Sequence, residues 1–263
     1  MIELHRAPGR FARVGHRGAS ALAPENTLEA LRLAVDLGCD MVEFDVLDLS
    51  DGTLVLAHSN DLREVSHRSA RGRVRRRSLA DLRRYAPDLP TLDEALAFCA
   101  AELPATALQL DLKRRGIERR VVEALGSHGV LERSWASSFD ARALRTLAEL
   151  EPALARSYTL PRDRFGISKR GPLAPVVRRT LGAVGASLPR RIASLIARAR
   201  AQAATLHHSV ASAEAIDRAH DAGAAVYVWT VDDPELAARL VEAGADGIIT
   251  NDPRIFDEDS LTT

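Results

Sequence analysis

The chain has almost no cysteine, almost no lysine and no net charge, and each shortage closes off a class of protein. Two cysteines, Cys39 and Cys99, are too few for a disulfide framework. Cys39 ends one expected helix and Cys99 lies within another, so both read as buried thiols. The 36 basic and 36 acidic residues cancel, leaving no charge surplus for a nucleic-acid backbone. No run approaches the roughly 18 apolar residues of a membrane span. Residues 1–13 carry charges and lack the apolar stretch of a signal peptide. The expectation is a soluble, cytoplasmic protein. Lysine is equally scarce: Lys113 and Lys169 stand alone in a chain that otherwise uses arginine.

What is present suits one large core. The 263 residues are 46% hydrophobic and 27% charged, and a (β/α)₈ barrel uses about 250. Short apolar runs alternate with helical patterns from end to end, as in a parallel α/β fold. Strands are expected at Ala12–Gly15, Met41–Leu47, Ala107–Leu112, Ser134–Ser137, Ala153–Tyr158, Ala203–Leu206, Ala225–Thr230 and Gly247–Ile249. Helices are expected at Thr27–Gly38, Ile117–His128, Ala141–Leu150, Ala213–Ala222 and Pro234–Ala243. Eight strands is the closed-barrel number, so residues 1–263 are read as a single α/β barrel domain. Two segments depart from the alternation. Met41–Leu49 and Thr53–His58 form a hairpin excursion through Asp51-Gly52 after strand two. A basic helical insertion follows strand five, within residues 169–201.

Active sites of such barrels collect at the carboxyl ends of the strands. There the chain places His16 and Arg17 after strand one, Glu43 and Asp45 on strand two, and Asp111 and Lys113 on strand three. The hairpin adds His58; the fourth and seventh strands add Ser138 or Phe139 and Trp229. With a two-residue turn at Asp51-Gly52, Asp45 would lie opposite His58, and Glu43 would share their face. Crowded buried carboxylates repel and resist ionisation, a cost that a bound cation removes. All-oxygen ligands favour a hard ion, Mg²⁺ or Ca²⁺. Such an ion polarises a phosphoryl oxygen, the histidines can exchange protons near neutral pH, and Arg17 offers a planar fork for phosphate. The set reads as phosphoryl-ester chemistry.

In these residues the sequence resembles the glycerophosphodiester phosphodiesterase family. The matching pieces, in order, are Gly15-His16-Arg17-Gly18, Pro24-Glu25-Asn26-Thr27, Glu43-Phe44-Asp45, and Asp51-Gly52 leading to His58. Asp111-Leu112-Lys113, Val228-Trp229-Thr230-Val231 and the run from Gly244 to Pro253 follow, so the likeness spans about residues 12 to 254. The resemblance implies a barrel with His16 and His58 as the acid–base pair. It implies Arg17 and Lys113 on the substrate's phosphate, and Glu43, Asp45 and Asp111 on a divalent metal; Trp229 reads either as a substrate-stacking residue or as a barrel-core aromatic. It also implies attack by the substrate's glycerol hydroxyl, a cyclic phosphate, and release of an alcohol and glycerol 3-phosphate. Two departures stand out: Asp111 replaces the family's usual Glu, and Ser59 follows His58 where Asp is usual.

Other features carry alternatives. A lysophospholipase D-type activity on lysolipids is one, supported by the basic stretch from Arg164 to Arg200, which has no acidic residue before Glu214. Ile192, Leu195, Ile196 and Ala199 recur at helical spacing within it, suiting a lid or a peripheral membrane contact; an ordinary surface helix is the competing reading. A non-catalytic barrel that binds phosphate-bearing ligands is another. Arg71–Arg77, with five arginines, reads as a solvated loop, since no aromatic is interleaved. Glu25 to Thr27 read as a helix cap, and His67, His128, His207, His208 and His220 as structural or surface groups.

Overall fold

Period-two alternation sorts each strand's side chains between two environments, and the strands close into a ring because both sides of that ring are needed. The computed structural model describes residues 2–7, 9–66, 68–161 and 174–257. In chain order the strands are β1 (Ala12–His16), β2 (Met41–Asp48), β3 (Leu54–Leu56), β4 (Ala107–Leu112), β5 (Ser134–Ser138), β6 (Ala155–Leu160), β7 (Ala203–His207), β8 (Ala225–Trp229) and β9 (Gly247–Thr250). All but β3 are parallel neighbours, and β1 pairs with both β9 and β2, which closes an eight-stranded barrel. The (β/α)₈ expectation holds, with β3 as the antiparallel excursion on the end of β2.

Along β2, Val42, Phe44 and Val46 join the apolar layer between barrel and helices. Met41 points the other way, into a second core with Val14, Trp135, Tyr227 and Ile249 inside the barrel. That inner core fills only the lower part of the ring. Trp135 and Tyr227 lie 4.6 Å apart, and Tyr227 donates to the Leu4 carbonyl at 3.1 Å, plugging the amino-terminal end. A Cβ at Gly247 would come within 2.3 Å of the Tyr227 ring, so only glycine lets β9 pass this plug. Above the apolar layer the inward positions turn polar: Glu43, Gln109, Asp111, Ser137, Thr159 and Thr205.

The outer helices are α1 (Leu28–Asp36), α2 (Leu62–Val65), α3 (Leu79–Arg83), α4 (Leu92–Glu102), α5 (Glu118–Ser127), α6 (Ala141–Leu150), α7 (Ala174–Ala199), α8 (Ala213–Asp221) and α9 (Pro234–Glu242). Thr27 caps α1, accepting from the Ala30 N–H at 3.2 Å. Sequence periodicity left α4's limits open, although Thr91 and Glu94 form a capping box at its start. Both cysteines are buried and unpaired, and burial pushes each thiol up to about 12.

α7 is the helical insertion after the fifth barrel strand. Its apolar positions Leu188, Ile192, Ile196 and Ala199 are buried against the barrel, so that stripe is not available to a membrane. Arg190, Arg191 and Arg198 face outward. Residues 169–173 of the expected lid lie outside the described residues, as does His67. No helix among the described residues is long and apolar enough to cross a membrane.

Candidate active site

The upper end of the barrel gathers the expected residues onto one cleft. His16, Arg17, Glu43, His58, Asp111, Lys113 and Trp229 all line it. Asp45 sits just beneath, fully buried. Parallel register sets the carboxylates: Asp45 on β2 is level with Asp111 on β4, and His16 on β1 is level with Glu43. Carboxylate oxygens of Glu43, Asp45 and Asp111 lie within 4.8 Å of one another.

The hairpin does not have the expected register. Val46 pairs with Leu56 and Leu47 with Val55, so Ala57, not His58, stands opposite Asp45, its N–H donating to the Asp45 carbonyl at 3.1 Å. The loop is one residue longer than the two-residue turn assumed, with Leu49 accepting from Gly52 and donating to Thr53. Gly52 takes φ +94°, the left-handed residue that completes such a three-residue loop. His58 reaches the cleft from beyond the end of β3, where strand alternation no longer governs it. Its Nδ1 lies 3.0 Å from Oε2 of Glu64 on α2.

Two cations balance the buried acids. Lys113 Nζ lies 2.5 Å from both Asp45 Oδ1 and Asp111 Oδ2. Arg17 Nε lies 3.0 Å from Asp45 Oδ2, while its Nη1 donates to Glu25 at 2.7 Å. Burial alone would raise Asp45, but Lys113 and Arg17 hold it well below the usual carboxylate range. Burial and then the Asp45 charge push Glu43 well above that range. Of the two, Glu43 is the carboxylate that burial and its neighbour's charge resist ionising. Against the opposing effect of burial, Asp111 and Asp45 hold Lys113 above its ordinary value.

Arg17 and Gly18 occupy left-handed backbone, φ 56° and 78°, and the turn aims the Arg17 N–H at Glu43 Oε2, 2.9 Å away. A Cβ on Gly18 would collide with the Ala30 backbone at 2.3 Å. Asn26, also left-handed, clasps Asp45 twice: its amide donates to Oδ2 and its oxygen accepts the Asp45 N–H, both at 2.9 Å. The Pro24–Thr27 motif is therefore divided. Thr27 caps the helix as expected, whereas Glu25 and Asn26 serve Arg17 and Asp45.

Sequence reasoning missed the groups that orient the histidines. His16 Nδ1 lies 2.7 Å from Asn251 Oδ1, just past β9. The Asn251 amide donates to Asp232 Oδ2 at 2.7 Å, which fixes its oxygen toward His16. His16 must then carry its proton on Nδ1, leaving Nε2 bare, 4.0 Å from Glu43. Burial, then the Arg17 charge, pushes His16 down to about 3, so the ring is neutral near pH 7. Asn251 stood within the matched closing run, but nothing local tied it to a residue on β1.

The aromatic wall is built by Trp229, its ring 5.7 Å from Phe139, 5.2 Å from His207 and 6.5 Å from His16. Among the described residues Trp229 Nε1 has no hydrogen-bond partner, nor does Gln109 Oε1 below it. These free polar atoms face a cleft sized for a small polar ligand. The donor set also fits a hard divalent ion: three buried carboxylates, no sulfur or imidazole, and a lysine already drawn to the same oxygens. A second His/Asp group, His5, His220 and Asp246, lies at the opposite end. There Asp246 accepts the Arg6 and Val226 N–H groups, tying the barrel's base.

The model of the glycerophosphoryl diester phosphodiesterase family matches residues 16–255. A glycerophosphodiester phosphodiesterase of Caldanaerobacter subterraneus subsp. tengcongensis is 27% identical, over 91% of this chain and 93% of its own. A Silicibacter pomeroyi structure named for the same activity superposes with a TM-score of 0.76 at 26% identity, covering 96% and 93% of the two chains. An Oleispira antarctica phosphodiesterase in complex with sn-glycerol-3-phosphate gives a TM-score of 0.71 at 24% identity, covering 96% and 97%.

Proposed function

The chain belongs to the glycerophosphoryl diester phosphodiesterase family, and from that premise we propose a mechanism in which His16 is the base and His58 the acid. The enzyme cleaves a glycerophosphodiester into an alcohol and glycerol 3-phosphate, the product held by the Oleispira protein. The observation that carries the assignment is the asymmetry of the two histidines. His16 offers a bare Nε2 because Asn251 takes its Nδ1 proton. His58 pairs through Nδ1 with the Glu64 carboxylate, which fixes the ring and leaves Nε2 to meet the leaving oxygen.

In the first step His16 Nε2 takes the proton of the substrate's glycerol hydroxyl, which attacks phosphorus. His58 protonates the departing alcohol oxygen. In the second step the roles reverse: His58 activates water, His16 returns its proton to the glycerol oxygen, and the cyclic phosphate opens. A phosphodiester carries negative charge, so its arrival beside His16 raises the base toward the operating range. Arg17 and Lys113 hold phosphoryl oxygens, and Trp229 shields the cleft. Glu43, Asp45 and Asp111 would hold Mg²⁺ or Ca²⁺, which when bound supplies Lewis-acid polarisation of the phosphoryl group. The shorter Asp111 keeps its place by accepting from Ser137 Oγ at 2.7 Å, itself held by Gln109 at 3.1 Å.

The test is glycerol 3-phosphate release from glycerophosphocholine and glycerophosphoethanolamine with Mg²⁺, Ca²⁺ or chelator. His16→Ala and His58→Ala should each lower kcat by at least about 100-fold. Full turnover in chelator would remove the metal from the scheme, and either variant within a few-fold of the parent would remove that histidine.

A further inference from the structure

A groove of about 1100 Å³ runs away from the cleft between two walls, one formed by Ser20–Pro24 and the other by residues between Asp61 and Arg71. His58 and Arg17 line both the groove and the cleft. Resting on the assignment of His58 as the acid, the leaving oxygen must sit beside that ring. The alcohol attached to that oxygen then extends into the groove that His58 borders. The glycerol end faces the hydroxyl and amide groups of the barrel mouth.

The charges of this groove do not cancel. Each acid on its walls has a basic partner: Glu25 holds Arg17 at 2.7 Å, Asp61 holds Arg63 at 2.6 Å, and Glu64 holds His58 at 3.0 Å. Arg68 and Arg71 are exposed on the same wall and form no ion pair among the described residues. Two of their neighbours in the arginine run are otherwise engaged. Arg75 is clamped to Asp48 at 2.8 Å and Arg77 lies over the Tyr85 ring at 5.5 Å. The run read from sequence as a solvated loop therefore has distinct parts, one of which adds unbalanced positive charge to the groove.

We propose that this groove is the leaving-alcohol subsite and that Arg68 and Arg71 select diesters whose alcohol carries a second phosphate. A guanidinium offers a planar fork to phosphate oxygens and repels a quaternary ammonium. The substrate class is thus a polyanionic glycerophosphodiester, such as a fully deacylated diphosphatidylglycerol, in preference to glycerophosphocholine.

The experiment measures kcat/KM on deacylated diphosphatidylglycerol and on glycerophosphocholine for the parent chain, the double variant Arg68→Glu with Arg71→Glu, and Arg76→Glu. Arg76 is exposed in the same run but does not line the groove, so Arg76→Glu controls for long-range charge. The ratio favouring the polyanion should fall by roughly tenfold or more in the double variant and stay within about twofold in the control. An unchanged ratio in the double variant, or an equal fall in both, overturns the subsite. Calorimetric binding of the same polyanion to His16→Ala, with and without the double charge reversal, reads the subsite without turnover. Weaker binding on reversal supports it even if neither substrate is hydrolysed, a result that would instead fault the proposed reaction. Equal binding overturns it.

Discussion

Replacing Lys113 by methionine leaves Asp45 and Asp111 without the ammonium that now lies 2.5 Å from each. Lys113 is only 14% exposed, Asp111 7% and Asp45 fully buried, so solvent cannot take the lysine's place. Stripping one partner from a buried pair costs about 3–5 kcal/mol. Arg17 and Asn26 still serve Asp45 and Ser137 still serves Asp111, which places the expected loss toward the lower figure. For a chain of this size each kcal/mol moves Tm by about 2–4 °C, giving a fall of roughly 6–12 °C in chelator at pH 7.5. The pH dependence has a definite sign. Asp45 is depressed, so its contribution is complete above the ordinary Asp value and is lost as pH falls through the lower folded value. Lys113 is raised, so its contribution is complete below the ordinary Lys value and is lost as pH rises through the higher folded value. The gap between parent and variant is therefore widest between about pH 4 and pH 10. Thermal unfolding followed by circular dichroism, with chelator and then with Mg²⁺ or Ca²⁺, measures it. The added ion should stabilise the variant more than the parent, because it fills a charge vacancy that only the variant has. A fall below about 1 °C, or equal stabilisation of both chains by the ion, would refute the counter-ion role.

Asn251→Leu should lower kcat/KM by about 10- to 100-fold through loss of His16 orientation. Asn251→Asp keeps an acceptor for Nδ1 and should retain more activity, with its acidic limb moved to higher pH because the new carboxylate raises His16; superimposable pH profiles for the two variants would contradict the positioning role. Metal loading should release protons, since burial and the Asp45 charge raise Glu43 and a bound cation opposes both effects. Titration calorimetry in buffers of different ionisation enthalpy reads their number, and a heat independent of buffer would contradict the release.

The barrel was legible because each strand states its own burial: Val42, Phe44 and Val46 on one side of β2, Met41, Glu43 and Asp45 on the other. The strand residues that meet in the cleft were legible for the same reason, being polar where a core strand should be apolar. The hairpin register was not, since Asp51-Gly52 suits either a two- or a three-residue loop and one residue decides which side chains are opposed. Glu64 and Asn251 were not legible either. Each is an ordinary polar residue in its own segment and gains meaning only from a histidine brought to it by folding. The apolar stripe of α7 was visible in sequence, but its destination was not, because an amphipathic helix suits a barrel flank and a membrane equally well.

Asn251 lies 235 residues from the histidine whose proton it sets. During synthesis, a nascent chain carries both histidines, all three carboxylates and Lys113 long before that acceptor leaves the ribosome. Until β9 zips onto β1 through Ala12–Gly15, nothing selects the His16 tautomer. Translation order thus works as a safety catch under the proposed mechanism: products truncated ahead of residue 251 lack the acceptor for His16 Nδ1, and the last barrel strand to be made is the one that brings it in.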